Sequence, residues 1–280
     1  MADGVLYIVA TPIGNLDDMT LRAIKVLREV PVIAAEDTRA AQHLLRHFEI
    51  ARPTIVSFFE GNEAGRTEHL LARLTGGEDV ALISEAGTPG VSDPGTRLVV
   101  AAVAAGVRVV PVPGASAAIS ALVASGLPTD QFYFVGFPSR DGGPRLQEFS
   151  RVRNVEATLV VYEAPARTAA TLHDLAAVLG GGRRACVARE LTKVHEELVR
   201  GTLTELTARF REAAPRGEVT IVVEGAAPDA AEAPAVDVEA EVKRRLAGGE
   251  SPKEIAAALA LQTGKQRRQI YQLAIALKRD

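Results

Sequence analysis

The first part of the chain alternates short apolar runs with segments of helical periodicity. Between the runs, apolar residues recur at the spacing of one helix face, for example Leu21, Ile24 and Leu27. The runs are rich in β-branched residues and indicate buried strands at 5–10, 31–35, 54–58, 80–83 and 107–112. Because these strands are apolar throughout, we expect a parallel sheet covered on both faces. The pattern predicts an N-terminal α/β domain over residues 1–115.

A second series of strands and helices follows and predicts a smaller α/β domain over residues 116–225. Helices are expected near 166–179 and 203–213, and the sequence PSRDGGPR at 138–145 is typical of a polar loop. Strands are expected at 132–135, 158–162, 185–188 and 219–223. Residues 226–236 are acidic and rich in alanine and proline, which predicts a linker.

The last residues, 237–280, have the pattern of a small helical hairpin. Ser251 to Glu254 form a capping box with proline at the first helical position, and Gly264 separates this helix from the next. The second helix carries basic residues around an aromatic side chain: Lys265, Arg267, Arg268 and Tyr271. This face is interpreted either as a solvated basic surface or as one that contacts RNA phosphates.

Charge, cysteine content and the length of the apolar runs indicate the compartment in which the protein works. The 280 residues are 47% hydrophobic and carry a net charge of −3, while residues 237–280 contain nine basic and six acidic side chains. The single cysteine, Cys186, excludes an internal disulfide framework and fits a reducing compartment, and its strand-like context predicts a buried thiol. Neither a signal peptide nor an apolar run long enough to span a bilayer is apparent, so we expect a soluble cytoplasmic protein without a membrane partner.

Glycine, proline and acidic residues follow several of the predicted strands. These loops lie at 11–15, 36–39, 84–95 and 113–118. In an open parallel sheet, ligands bind beyond the carboxyl ends of the strands, and glycine lets a ligand approach the backbone closely. The dinucleotide, P-loop and nucleophile-elbow fingerprints are absent. His43 and His47 lack a third ligand, so we expect no metal site. The residues alone therefore predict an α/β enzyme with a ligand crevice lined by backbone.

Six ordered motifs carry a resemblance to a known family. They are LYIVATPIGNLDDMTLRA, AAEDTR, SEAGTPGVSDPG, VPGASAAISAL, ARELTKVHEE and GEVTIVVEG. Together they resemble the ribosomal RNA small-subunit methyltransferase I family, which has the tetrapyrrole-methylase fold. The resemblance runs through residues 4–225, and the helical tail is similar to that family's C-terminal extension.

The resemblance implies a fold, a cofactor and a substrate. It implies two α/β domains with S-adenosylmethionine in the cleft between them, a small helical extension, and a homodimer. The implied reaction is methylation of the ribose 2'-hydroxyl of a decoding-region cytidine in the 16S rRNA of the small ribosomal subunit. The cofactor residues carried over are Ala86, Gly87, Thr88, Pro89, Val91, Ser92, Ser116, Ala117, Tyr162 and Leu191. The chain departs from the family at Glu85, where aspartate is frequent, and at SFFEGNE, where many members carry histidines.

A ribose hydroxyl is a poor nucleophile at neutral pH and benefits from a general base. Glu36 and Asp37 follow the second predicted strand, with Arg39 beside them, and are the candidate catalytic residues. The competing interpretation is that Glu36-Asp37-Thr38 caps the next helix. Lys193 is a weaker candidate, because a solvated lysine stays protonated.

Two other functions fit parts of the sequence. A tetrapyrrole-precursor methyltransferase would share the fold, but the basic tail and the AAEDTR motif favour RNA. A non-catalytic RNA-binding assembly factor would not need the glycine loops, which this chain retains.

Overall fold

The computed structural model describes residues 4–51, 53–227, 238–263 and 266–278. The chain divides into two compact units, one formed by Met1–Ser120 with Glu190–Glu196, the other by Ala121–Arg189 with Glu197–Asp280. The division falls five residues after the boundary predicted at 115. Segment 190–196, which the sequence places in the second domain, belongs to the first unit. The predicted linker lies outside the described residues from 228 onward.

The first unit contains a five-stranded sheet in which every pair of neighbouring strands is parallel, as predicted. The strand order is β3-β2-β4-β1-β5. The strands are β1 (Val5–Val9), β2 (Val32–Ala35), β3 (Thr54–Ser57), β4 (Val80–Ile83) and β5 (Arg108–Val112). The helices are α1 (Leu21–Glu29), α2 (Thr38–His47), α3 (Glu63–Thr75), α4 (Thr96–Ala104) and α5 (Ala117–Ser125), the last of which contains the division between the units.

Successive residues of the central strands enter separate cores. Ile33 and Ile83 pack with α1 and α2 residues in one cluster, while Val32 and Leu82 pack in another with Phe58 and residues of α3 and α4. Alternate side chains of a strand point to opposite faces, so a strand covered on both sides is apolar throughout. This explains the unbroken apolar runs of the sequence.

The second unit contains a mixed sheet in the order β6-β7-β10-β8-β9. Strands β6 and β7 are parallel, whereas β10 is antiparallel to β7 and β8, and β9 is antiparallel to β8. The strands are β6 (Phe132–Gly136), β7 (Thr158–Glu163), β8 (Arg184–Arg189), β9 (Glu197–Thr202) and β10 (Val219–Val223). The helices are α6 (Gly142–Arg151), α7 (Thr168–Leu179) and α8 (Leu203–Glu212). Cys186 is buried in β8, as predicted, and burial raises the pKa of its thiol.

Two of these elements were not predicted. Strand β9 is an edge strand with arginine and glycine near its end, so its sequence lacks a sustained apolar run. Helix α6 begins with Gly142 and Gly143 inside the segment interpreted as a polar loop, and only its later turns carry apolar residues such as Phe149. Tertiary packing therefore determines both elements more than local preference does.

The C-terminal part contains a third helix besides the two of the predicted hairpin. The helices are α9 (Val238–Ala247), α10 (Pro252–Thr263) and α11 (Arg267–Leu277). Val238 and Val242 share a small core with residues of α10 and α11, among them Ile255, Leu259 and Ile270. Because acidic and basic residues surround these valines in the sequence, α9 escaped prediction. The capping box of α10 is present, with the Ser251 backbone N–H donating to Glu254 at 3.0 Å and the Glu254 N–H donating to the Ser251 hydroxyl at 3.3 Å.

Across the described ranges, no helix has both the length and the apolar character needed to cross a bilayer.

Candidate cofactor and acceptor site

Three loops meet at the carboxyl ends of β1, β4 and β5. The Thr11 backbone N–H donates to the Gly87 carbonyl at 2.8 Å, and the Gly87 N–H donates back to the Thr11 carbonyl at 3.1 Å. The Thr88 hydroxyl donates to the Ala115 carbonyl at 3.3 Å. These bonds join loops 11–15, 84–95 and 113–117 into one surface of the first unit, in the position where parallel sheets bind ligands.

Left-handed backbone conformations shape the loop at 84–95. Gly87 and Gly90 have φ angles of +82° and +80°, and Ser92 adopts +63° despite its side chain. Only glycine populates this region without a steric penalty, and strained backbone of this kind clusters at functional sites. The many glycines of SEAGTPGVSDPG therefore let the chain reverse direction repeatedly over a short distance.

The structure brings together most of the cofactor residues carried over from the family. Gly87 and Pro89 are buried, Ala86 and Thr88 are half-buried, and Val91 and Ser92 are exposed. Ser116 and Ala117 are half-buried at the start of α5, on the loop that accepts the hydrogen bond of Thr88. Small side chains on a turning backbone leave room for a ligand to approach the loops closely, as the amino-acid and ribose ends of S-adenosylmethionine require. The residues present thus fit this cofactor.

The two remaining cofactor residues lie in different units. Tyr162 is half-buried on β7 of the second unit. Leu191 is 9% exposed and belongs to the first unit. Its neighbours Glu190 and Thr192 both have left-handed backbones, with φ angles of +51° and +67°. The sequence contained no signal for this strain, because neither residue is a glycine.

Three carboxylates come together beside the glycine loop. Burial raises the pKa of Glu36, and the charges of Glu85 and Asp37 raise it further, against a backbone hydrogen bond from Glu85 that lowers it. Burial also raises the pKa of Asp93 to about 6, and the charges of Glu36 and Glu85 add to this effect. A hydrogen bond with the Ser84 side chain acts in the opposite direction. Perturbed carboxyl groups of this kind concentrate at functional sites.

Asp93 is the residue that the sequence interpretation missed. Asp93 lies in the glycine loop at 84–95, and an acidic residue among glycines was a sequence feature that could have marked it as a candidate. Its partner Glu36, however, is 57 positions earlier in the chain. The pairing depends on β2 and β4 being neighbours in the sheet.

Asp37 caps the N-terminus of α2, as the interpretation that competes with a catalytic role expects. One carboxylate oxygen, Oδ1, accepts from the backbone N–H of Arg39 at 2.6 Å and from that of Ala40 at 3.1 Å. These two bonds lower the pKa of Asp37. Because Oδ1 already serves as the N-cap of α2, Asp37 is engaged structurally. The side chain of Arg39 is exposed at the first turn of the helix.

Lys193 lies against the loop that follows β1. A Cβ atom on Gly14 would come within 2.5 Å of Lys193 Cγ, so the glycine permits this close approach. The ammonium group forms an ion pair with Glu190 at 2.9 Å. The amine is thus engaged with Glu190, and Lys193 stays the weaker candidate of the sequence analysis.

The basic residues of the tail occupy the start of α11. Arg267 and Arg268 are exposed, and Tyr271 is 43% exposed one turn later, while Ile270 between them is buried in the helical core. Lys265 lies outside the described residues.

A model of the family described as tetrapyrrole (corrin/porphyrin) methylases matches residues 5–207. A curated protein from Synechocystis, named ribosomal RNA small subunit methyltransferase I, is 48% identical over 280 residues and covers 99% of both chains. A Pseudomonas aeruginosa protein of the same name is 46% identical over 98% of both chains.

The chain belongs to the ribosomal RNA small subunit methyltransferase I family. The resemblance carried by the six motifs is thereby confirmed, as is the tetrapyrrole-methylase fold. Membership of this family also makes S-adenosylmethionine the methyl donor.

Solved structures in this fold class agree with the architecture. Uroporphyrin-III C-methyltransferase from Thermus thermophilus, in complex with S-adenosylhomocysteine, aligns with a TM-score of 0.53 at 24% identity, covering 78% of this chain and 97% of its own. A diphthine synthase aligns with a TM-score of 0.59 at 15% identity, covering 79% and 90%. At these identities the likeness shows the fold and nothing finer.

Proposed function

We propose that this methyltransferase acts on 16S rRNA in the small ribosomal subunit and methylates the ribose 2'-hydroxyl of a decoding-region cytidine. The main support is the 48% identity, over nearly the full length of both chains, to a protein named ribosomal RNA small subunit methyltransferase I. The basic face at the start of α11 adds a surface suited to RNA phosphates. We further propose that the chain works as a homodimer in the cytoplasm, where its substrate is assembled.

The converging loops of the first unit hold the methyl donor in this proposal. Ala86 to Pro89 present turning backbone to it, Val91 and Ser92 continue the loop, and Ser116 with Ala117 supply the second loop. Tyr162 and Leu191 are proposed as further contacts. S-adenosylmethionine supplies an electrophilic methyl group, so the main task of these residues is to place it in line with the acceptor oxygen.

The proton of the acceptor hydroxyl requires a base. Glu36 and Asp93 are proposed as a carboxylate pair that accepts it, since their raised pKa values bring them closer to neutral pH while leaving Asp93, at about 6, ionised there. Asp37 contributes by fixing the start of α2, from which Arg39 extends into solvent. Arg39 is proposed to bind a phosphate next to the acceptor nucleotide.

The test is transfer of tritium-labelled methyl groups to unmodified small ribosomal subunits, followed by digestion to nucleosides. Label in 2'-O-methylcytidine is the expected result. Label in another nucleoside would overturn the proposed acceptor while keeping the substrate. Cofactor binding without any label in RNA, combined with methylation of a tetrapyrrole precursor, would replace the proposal by the chemistry named for the Thermus structure.

A further inference from the structure

Phe137 is an exposed aromatic residue on a rigid support. It is 57% exposed, although the residues on either side of it, Gly136 and Pro138, are buried. Exposing a phenylalanine ring in a mobile loop has little consequence, but here the surrounding backbone is held at several points. An exposed aromatic ring held on a fixed backbone offers a face on which a planar ligand can stack.

The backbone of β6 is shaped to present this ring. The register between β6 and β7 shifts between Phe134 and Gly136, which pair with the consecutive residues Val160 and Val161. Gly136 then adopts a φ angle of +76°, a conformation that favours glycine. Bulges of this kind bend a strand end and redirect the side chain that follows.

Other aromatic rings support Phe137 from one side. Its ring centroid lies 5.4 Å from that of Tyr162, and the Tyr162 ring packs edge-on against Phe134 at 5.0 Å. We call Phe134, Phe137 and Tyr162 the aromatic platform. Phe134 and Tyr162 lie on the neighbouring parallel strands β6 and β7, and Phe137, the exposed member, directly follows β6.

A cation lies next to the platform. The Arg167 guanidinium donates to the carbonyl of Pro138 at 3.4 Å, and its side chain remains 24% exposed. Arg167 is held in place by an ion pair at 2.5 Å with Glu163, whose side chain is fully buried. The guanidinium therefore stands beside the peptide that follows Phe137, on a side chain that is partly exposed.

Charged groups also fix the loop after Phe137. The backbone N–H of Ser139 donates to Glu148 at 2.9 Å. Arg145, only 6% exposed, donates to the Arg140 carbonyl at 3.0 Å and forms an ion pair with Asp174 at 2.6 Å. These bonds limit the backbone entropy that a ligand would otherwise have to freeze on binding.

We propose that Phe137 is a stacking site for a base of single-stranded RNA, with Arg167 contacting the adjoining phosphate. This proposal rests on the proposed function, and it adds the feature of the RNA that the second unit recognises, namely an unstacked base. A rigid, half-exposed ring beside a cation suits a planar base with an anionic backbone. Such a base is available only in single-stranded or unpaired RNA.

Direct contact can be measured by tryptophan fluorescence, because the chain contains no tryptophan. Phe137→Trp places one reporter on the platform, and Phe132→Trp places one at the other end of β6, where Phe132 is 44% exposed. Addition of an eight-residue oligocytidylate is expected to quench the first reporter and leave the second unchanged. Quenching by S-adenosylhomocysteine but not by the oligonucleotide would overturn the proposal and assign the ring to the cofactor.

Function is tested by methyl transfer to small ribosomal subunits. Phe137→Ala is expected to raise KM about 5- to 150-fold, the range for loss of one stacked base, with a smaller effect on kcat. Phe137→Tyr should restore KM, and Phe132→Ala should leave it unchanged.

Three results distinguish failure of the stacking site from failure of the proposed function. An unchanged KM in Phe137→Ala would overturn the stacking site while leaving the proposed function standing. A change in sedimentation of the Phe137→Ala variant alone would assign the ring to contact with a second copy of the chain. Absence of RNA methylation by the unaltered protein would overturn the proposed function, whereas quenching of Phe137→Trp by the oligonucleotide would still support the stacking site.

Discussion

At the scale of single residues, Asp93 connects burial to pH dependence. Its pKa is raised from 3.8 to about 6, so the folded protein binds this proton more tightly than the unfolded chain does. The contribution of Asp93 to stability is therefore fully present below about pH 4 and is lost as the pH rises through 6. Asp93→Asn removes this loss. Between about pH 4 and 6 the free energy of unfolding of the unaltered protein should therefore fall relative to that of the variant. Urea denaturation at a series of pH values measures this difference.

Asp37 provides a control of opposite sign. Its pKa is lowered by two backbone N–H groups, so its contribution is present above the unfolded value and is lost as the pH falls. As the pH falls through the acidic range, the unaltered protein should therefore lose stability relative to Asp37→Asn, which has no carboxylate to protonate at this position. A profile of Asp93→Asn parallel to that of the unaltered protein would contradict the burial of this carboxyl group.

Gly87 tests the role of left-handed backbone in the cofactor loop. Alanine at a φ angle of +82° costs about 1–2 kcal/mol, because the Cβ atom approaches the following carbonyl oxygen. In the variant the cofactor-free loop relaxes away from this conformation, so cofactor binding has to restore the strained backbone. We expect Gly87→Ala to weaken S-adenosylhomocysteine binding by about 5- to 30-fold, measured by calorimetry.

Gly65 is the matched control for Gly87. It lies within α3, and a Cβ atom there would meet nothing within 4 Å. Gly65→Ala should stabilise the protein by about 0.5–1 kcal/mol and leave cofactor affinity unchanged. Equal effects of the two substitutions on affinity would refute the argument from backbone conformation.

At the scale of elements, Glu163 joins the end of β7 to the helix that follows. Its buried carboxylate accepts from the Ala164 backbone N–H at 2.7 Å, contacts the Thr171 hydroxyl on α7, and pairs with Arg167. Glu163→Ala leaves a buried hydroxyl and a guanidinium without this partner. We expect it to lower the free energy of unfolding by about 3 kcal/mol, measured in urea.

Two variants separate charge from packing at this junction. Glu163→Gln keeps a hydrogen-bond acceptor and should lose less stability than the alanine variant. Arg184→Ala breaks the ion pair with Glu224, in which the arginine side chain is 60% exposed, and should lower the free energy of unfolding far less than Glu163→Ala does. If Arg184→Ala proved as destabilising as Glu163→Ala, burial would not be the cause.

At the scale of the whole molecule, positive charge is concentrated at the C-terminus of an otherwise acidic chain. Residues 237–280 carry a net charge of +3, against −6 for residues 1–236. Each phosphate contact contributes to the salt dependence of RNA binding. Arg268→Glu is expected to weaken binding to small ribosomal subunits and to reduce the slope of log affinity against log salt by about 1.

Arg66→Glu makes the same change of charge elsewhere. Arg66 is exposed on α3, away from the tail in sequence, and should affect the slope less than Arg268 does. Equal slopes for the two variants and the unaltered protein would leave the basic face of α11 as a solvated surface, the interpretation that the sequence kept open.

The sequence by itself determined the features that depend on neighbouring residues. Apolar runs predicted all five parallel strands of the first unit to within one residue at each end, because strands buried on both faces cannot alternate. The capping box at Ser251 and the turning loop at 84–95 were also local, since each depends on residue types a few positions apart.

Only the tertiary structure decided the features that depend on distant pairings. Asp93 joins Glu36 because β2 lies beside β4, and segment 190–196 belongs to the first unit although its flanking strands belong to the second. Phe137 is exposed because a bulge against β7 redirects it, whereas the sequence alone offered an ordinary apolar residue. Strand order and register are set by contacts across the whole sheet, and no local pattern encodes them.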